Sequence, residues 1–236
     1  MTSAGNSSPR LVTATMGHTF TWYGLPATLM ILASLLLLLD ISVAKLCWED
    51  EYPREIADVL SNAEPFGHGI GVAFVVITIA VLDPARRRWA PGVCAAGAIA
   101  GGLSANIVKL LIGRTRPRNF DLATIDVWQT FQGWFPLGSG GSALQSFPSA
   151  HTATAVGFAV ALSAVYPRGR WWFYSLAILV GLHRVEVSAH YPSDVCIGAL
   201  LGWLAGHTCI ALANRLLASG NTAAEQSEAQ PLRVAA

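Results

Sequence analysis

The chain has 236 residues, 53% of them hydrophobic and 12% charged, with a formal net charge of +1, against the roughly 25% charged residues of a soluble domain. That balance points to a membrane protein, and the near-zero net charge gives no broad basic field for nucleic acid. Cys47, Cys94, Cys196 and Cys209 are scattered with no C-x-x-C pair, so neither a disulfide framework nor a thiolate metal site is indicated.

Residues 1–22 form a polar N-terminal segment with Arg10 as their only cation and no small-residue cleavage signature, so the first apolar run is expected to be a retained anchor. That run, residues 23–46, is interrupted only by Asp40 and Lys45 near its end and is long enough for the ~20 residues a bilayer needs. An acidic loop carrying Glu49, Asp50, Glu51, Glu55, Asp58 and Glu64 follows, then a second span over 66–82, closed by Arg86, Arg87 and Arg88. A third span, 92–112, is rich in Ala and Gly, which lets helix backbones approach closely, and carries Lys109 near its end. Residues 114–148 are too polar and too rich in Gly, Pro and Ser to span; so long a connection is expected to be a mobile cover, with an aromatic stretch around Trp128 and Phe135 as its interfacial anchor. Further spans are expected over 149–165, 171–187 and 193–217, and residues 218–236 read as a disordered tail.

The pattern predicts an all-α fold, a bundle of six transmembrane helices over residues 23–217, with both termini on one side. That side collects Arg10, Arg86, Arg87, Arg88, Arg168, Arg170, Arg215 and Arg233, and is cytoplasmic by the excess of arginine in its short loops. Lys109, Arg114, Arg116, Arg118 and Arg184 break the bias on the outer side.

The exceptions mark a site. Lys109 and Arg116 flank the exit of the third span, Pro148-Ser149-Ala150-His151 opens the fourth, and His183, Arg184, His190 and Asp194 bridge the last two. Two guanidiniums and an ammonium suit an anion with several oxygens, and a helix start at Ser149 adds backbone N–H groups and a favourable dipole. Together these predict a phosphate site at the outer membrane-water interface. His190 with Asp194 four residues on suits a nucleophile and its orienter, because a carboxylate on one imidazole nitrogen leaves the other free to attack. His68, at the start of the second span, is a possible substrate contact, and Glu186 an ion partner or interfacial acid.

Three blocks here resemble the signature of the type 2 phosphatidic acid phosphatase superfamily, integral membrane lipid phosphatases related to vanadium haloperoxidases. Lys109, Arg116 and Pro117 match the first; Pro148, Ser149, Ala150 and His151 match the second with Ala for Gly; His183, Arg184, His190 and Asp194 match the third with His for Ser. The resemblance covers about residues 66–215 and implies that His190 attacks phosphorus to form a phosphohistidine, that Asp194 holds its other nitrogen, and that His151 protonates the leaving oxygen and later activates water. It further implies that Lys109, Arg116, Arg184, Ser149 and Ala150 hold the phosphoryl oxygens, with His183 a possible further ligand, and that neither metal nor other cofactor is needed. The expected substrate is a lipid phosphate or lipid pyrophosphate, met in the bilayer, with the site facing outward from a bacterial inner membrane and no role for nucleic acid. A lipid phosphotransferase would use the same intermediate. A vanadate-dependent haloperoxidase and a non-catalytic membrane protein are the remaining classes. Ala150 serves as well as Gly if the block needs only a helix-start N–H, and is strained if it needs a positive φ.

Overall fold

The structure, a computed structural model, describes residues 24–48, 53–122, 125–137 and 139–228. The polar N-terminal segment and residues 229–236 lie outside them, as do Glu49, Asp50 and Glu51 of the acidic loop. Eight helices carry the described fold: α1 (Leu25–Leu37), α2 (Asp40–Trp48), α3 (Arg54–Ala63), α4 (Gly69–Leu82), α5 (Ala90–Leu111), α6 (Ala150–Val165), α7 (Arg170–Glu186) and α8 (Pro192–Glu228). A two-stranded antiparallel sheet, β1 (Ile112–Arg114) with β2 (Phe131–Trp134), departs from the all-α expectation.

The first apolar run does not form one straight helix. It breaks at Leu38 and Leu39, and α2 turns 68° from α1. The turn sets Asp40 at the first residue of α2, where its side chain is wholly buried. The acidic loop also contains more order than expected: Leu60 and Ala63 of α3 face inward, and a 3-10 turn, Glu64–Gly67, joins α3 to α4 at 66°. Two helices, Ala90–Leu111 and Pro192–Ser219, are singly long and apolar enough to cross a membrane, or up to four spans if each bent pair counts as one. With 22 residues, α5 is about 33 Å long at the helical rise, which matches a bilayer core.

The centre of the bundle is α6, whose small residues are buried on nearly every side, including Ala153, Ala155, Gly157, Ala159 and Ala161. A Cβ at Gly101 of α5 would stand 2.2 Å from the Ala153 carbonyl oxygen, and one at Gly202 of α8 would stand 2.3 Å from it. Only glycine allows both neighbours to press on α6 there, just below the residues that open it. The core around Phe66, Phe158, Val180 and Trp203 then closes the packing on the other faces.

The long connection is built rather than irregular. β1 continues directly from α5, and the Phe135 and Leu137 N–H groups donate to the Leu111 and Leu110 carbonyls, tying the hairpin to the end of that helix. Trp128, Trp134, Phe135 and Leu137 remain exposed, an apolar rim suited to an interface. At the other end α8 continues as helix to Glu228, past the boundary expected near residue 217.

Candidate active site

The loop between α7 and α8 presents His190, which is buried at 3% exposure. Its Nδ1 lies 2.5 Å from the Ser146 carbonyl oxygen and 3.8 Å from Asp194 Oδ2. A carbonyl can only accept, so Nδ1 carries the proton and Nε2 keeps its lone pair. Asp194 thus stands beside the same nitrogen as a charge contact, while the backbone carbonyl takes the short hydrogen bond. Asp194 Oδ2 accepts from the Ser146 hydroxyl at 2.6 Å and from the Tyr191 N–H at 3.0 Å. Burial pushes the His190 imidazole down to about 4, against the pull of Asp194 and in the same sense as the charge of Lys109.

Behind Asp194 stands Arg114, which is wholly buried. Its Nη1 donates to Asp194 Oδ1 at 2.5 Å and to Ser193 Oγ at 2.9 Å, its Nη2 to Asp40 Oδ2 at 2.7 Å, and its Nε to Thr130 Oγ1 at 3.0 Å. The guanidinium lies between the rings of Tyr191 and Phe131, at 4.1 and 4.5 Å from their centroids. Asp40 also accepts from the Ser193 N–H and hydroxyl. One cation thus joins α2, the hairpin and the first turn of α8.

The three cations of the motif blocks occupy the same end of the molecule. Lys109 Nζ donates to the Gln145 carbonyl at 2.5 Å. Arg116 has a buried Nε with no partner, and burial, then Arg118 and Arg184, lower its hold on a proton. Cations gathered with unused donors are what an anion would complete. Both hydrogens of Arg184 Nη2 are taken, by Glu64 Oε1 and by His183 Nδ1, each at 2.8 Å, while its Nε is buried without a partner. His183 accordingly accepts from Arg184 and steadies it, and its Nε2 lies 3.9 Å from Glu186.

Ser149 caps α6, its Oγ accepting from the Thr152 N–H at 3.4 Å and the Thr152 hydroxyl at 2.9 Å, which leaves its own proton to donate. The Ser149 N–H is spent on the Asp194 carbonyl, at 3.0 Å. Ala150 is the first residue of α6 and is not among the non-glycine residues with positive φ, so the Ala-for-Gly exchange carries no backbone strain. His151 is 32% exposed at the side chain and lies in the field of Arg184 and His190. It marks the mouth of the site and buried His190 the floor. His68 caps α4 through the Ile70 N–H and stands 5.9 Å from the His151 ring, centroid to centroid.

Sequence reasoning assigned no role in the site to four participants. Arg114 and Asp40 were visible as charges beside apolar runs, a signal that usually marks a partner. Glu64 was one acid among several in its loop, and the Ser146 carbonyl has no sequence signature. Among the described residues no group of three or more His, Cys, Asp or Glu side chains is placed to hold a metal.

The sequence profile of the PAP2 superfamily matches residues 89–217, more than half of the chain. The chain belongs to the PAP2 superfamily. The match spans α5 to α8 and so contains every motif block. Among PAP2-type relatives, lipid A 1-phosphatase of Rhizobium johnstonii is 42% identical over 113 residues, covering 48% of this chain and 43% of that protein. The chain thus spans less than half the length of that relative. Decaprenylphosphoryl-5-phosphoribose phosphatase of Mycobacterium tuberculosis is 31% identical over 144 residues, 59% of this chain and 70% of the relative. The crystal structure of the transmembrane PAP2-type phosphatidylglycerolphosphate phosphatase of Bacillus subtilis superposes with a TM-score of 0.55 at 19% identity, covering 80% of this chain and 96% of that one. Aquifex aeolicus LpxE gives 0.52 at 19% identity, covering 73% and 94%. At that identity these two speak for the PAP2 membrane fold alone.

Proposed function

We propose that the protein is an integral membrane phosphatase that hydrolyses a lipid phosphate or lipid pyrophosphate through a phosphohistidine, in a six-span bundle with its site at the outer face of a bacterial inner membrane. The observation that carries this is the 2.5 Å contact of His190 Nδ1 with the Ser146 carbonyl, which leaves Nε2 unprotonated beside a group of cations with unused donors. PAP2 membership supports the reaction class, and relatives named lipid A 1-phosphatase and decaprenylphosphoryl-5-phosphoribose phosphatase support a lipid-linked phosphate ester.

In this mechanism the Nε2 lone pair of His190 attacks phosphorus, the phosphorus–oxygen bond to the lipid breaks, and His151 gives the departing oxygen its proton. Lys109, Arg116 and Arg184, with the Ser149 hydroxyl and the helix start at Ala150, balance the charge on the phosphoryl oxygens as it shifts. His151, now neutral, takes a proton from water, whose oxygen attacks the phosphohistidine; the phosphorus–nitrogen bond breaks and phosphate leaves. The chemistry asks for no metal.

Phosphate release from phosphatidate, phosphatidylglycerol phosphate, an isoprenyl pyrophosphate and phosphorylated lipid A, each with EDTA and with vanadate, tests the proposal. Release that survives EDTA and is blocked by vanadate is expected. Loss on chelation with recovery on adding a divalent ion would overturn the metal-free route, and transfer to an added alcohol in place of release would make the protein a phosphotransferase.

A further inference from the structure

The Glu64 carboxylate meets three residues of the motif blocks at once. Its Oε1 lies 2.8 Å from Arg184 Nη2 and 3.9 Å from His151 Nε2, and its Oε2 lies 3.8 Å from His183 Nδ1. The backbone that carries it is held hard against α6. Phe66 packs on Phe158 with ring centroids 5.1 Å apart, and a Cβ at Gly67 would stand 2.8 Å from the His151 carbonyl oxygen. The carboxylate is therefore a fixed negative charge on the His151 side of the site, 35% exposed at its side chain, while Lys109 and Arg116 are in the field of His190 on the floor.

The other buried acids, Asp194 and Asp40, are already held by Arg114, so Arg184 is not needed there and is left to Glu64. Glu64 does not help bind the transferred phosphoryl group, which it repels. Its effect falls instead on whatever passes His151. A general acid works within about 3 Å of the oxygen it protonates, so the departing group passes close to the carboxylate as well. A lipid monophosphate releases an alcohol, which is neutral once protonated and can donate its hydroxyl to the carboxylate. A lipid pyrophosphate releases a lipid monophosphate, which carries negative charge into the same place. Like charges brought together in this way discriminate between ligands that an all-cationic site would treat alike.

We propose that Glu64 is a specificity-determining residue that selects lipid monophosphates, whose leaving group is an alcohol, over lipid pyrophosphates, whose leaving group is an anion. This rests on the phosphatase mechanism above and narrows its substrate class. Solvent screening at a one-third exposed carboxylate limits the effect to about tenfold in relative kcat/KM.

The test uses farnesyl monophosphate and farnesyl pyrophosphate, which share one tail and differ in the leaving group, with the full chain in detergent. Glu64→Gln is expected to shift the ratio of kcat/KM values toward the pyrophosphate by about tenfold, Glu64→Asp to keep the wild-type ratio, and added salt to shrink the difference. Both substrates are assayed on one preparation, so a loss of folded protein cancels in the ratio, and Glu64→Ser gives a second neutral variant. Neutral variants that slow both substrates by the same factor would overturn the inference and leave the phosphatase standing. A wild-type protein that releases phosphate from neither substrate would defeat the mechanism on which the inference rests.

Discussion

Arg114 and Asp194, 80 residues apart in the chain, meet at 2.5 Å with neither side chain exposed. The same guanidinium reaches Asp40 at 2.7 Å, so one cation bridges the carboxylate that supports the His190 loop and the carboxylate at the break between α1 and α2. Removing it leaves two buried carboxyl groups without their guanidinium partner. Arg114→Met is expected to cost about 3–5 kcal/mol, as for a buried pair broken on one side, and Arg114→Lys to recover only part, because an ammonium cannot fork between Asp194, Ser193, Asp40 and Thr130. Thermal unfolding in detergent measures both. A midpoint unchanged in Arg114→Met would mean that the network contributes nothing to stability.

The two histidines differ in surroundings and so in the consequences of losing them. His190→Ala should abolish phosphate release and any trapped phosphoenzyme. His151→Ala should slow lipid substrates, whose alkoxide leaves poorly, far more than p-nitrophenyl phosphate, whose phenolate needs little protonation. General acid help is worth about 10²- to 10⁴-fold, which makes the contrast measurable. Equal losses on both substrates would remove His151 from the acid role, and a phosphoenzyme persisting in His190→Ala would exchange the two assignments.

The pH dependence of stability follows from the burial of His190. Its folded-state value is pushed down to about 4, whereas in the unfolded chain the imidazole keeps its ordinary value of about 6.5. Between those limits the unfolded chain binds the extra proton. The wild-type unfolding midpoint should therefore fall as pH drops from about 6.5 toward 4, and this part of the fall should be missing in His190→Gln. His190 stays unprotonated above about pH 5, so if it is the nucleophile kcat/KM should show no limb from it between about pH 5 and 8. Parallel midpoint curves for the two proteins would refute the assignment.

Orientation in the membrane can be read by labelling. In a background lacking Cys47, a cysteine at Ser139, on the exposed connection beside the site, should react with a membrane-impermeant thiol reagent in intact cells, and one at Gly169, between α6 and α7, should not. The prediction comes from the arginines of the short loops. The opposite pattern would turn the site toward the cytoplasm.

The motif blocks were legible in the sequence by themselves, because Lys109, Arg116, Ser149, His151, Arg184, His190 and Asp194 are charged, capping or nucleophilic residues at fixed short spacings. The apolar helices were legible for a similar reason, since burial in lipid or in a helical bundle leaves its mark on the composition of each segment. What holds those groups was decided only by the tertiary structure. Asp40, Arg114 and Asp194 come from three distant segments, and nothing local indicates which acids one arginine will join. Glu64 was one acid among several until the turn after α3 packed against α6 and brought it to Arg184. The tautomer of His190 is set by the Ser146 carbonyl, and every residue carries a carbonyl, so no side-chain pattern could have named it.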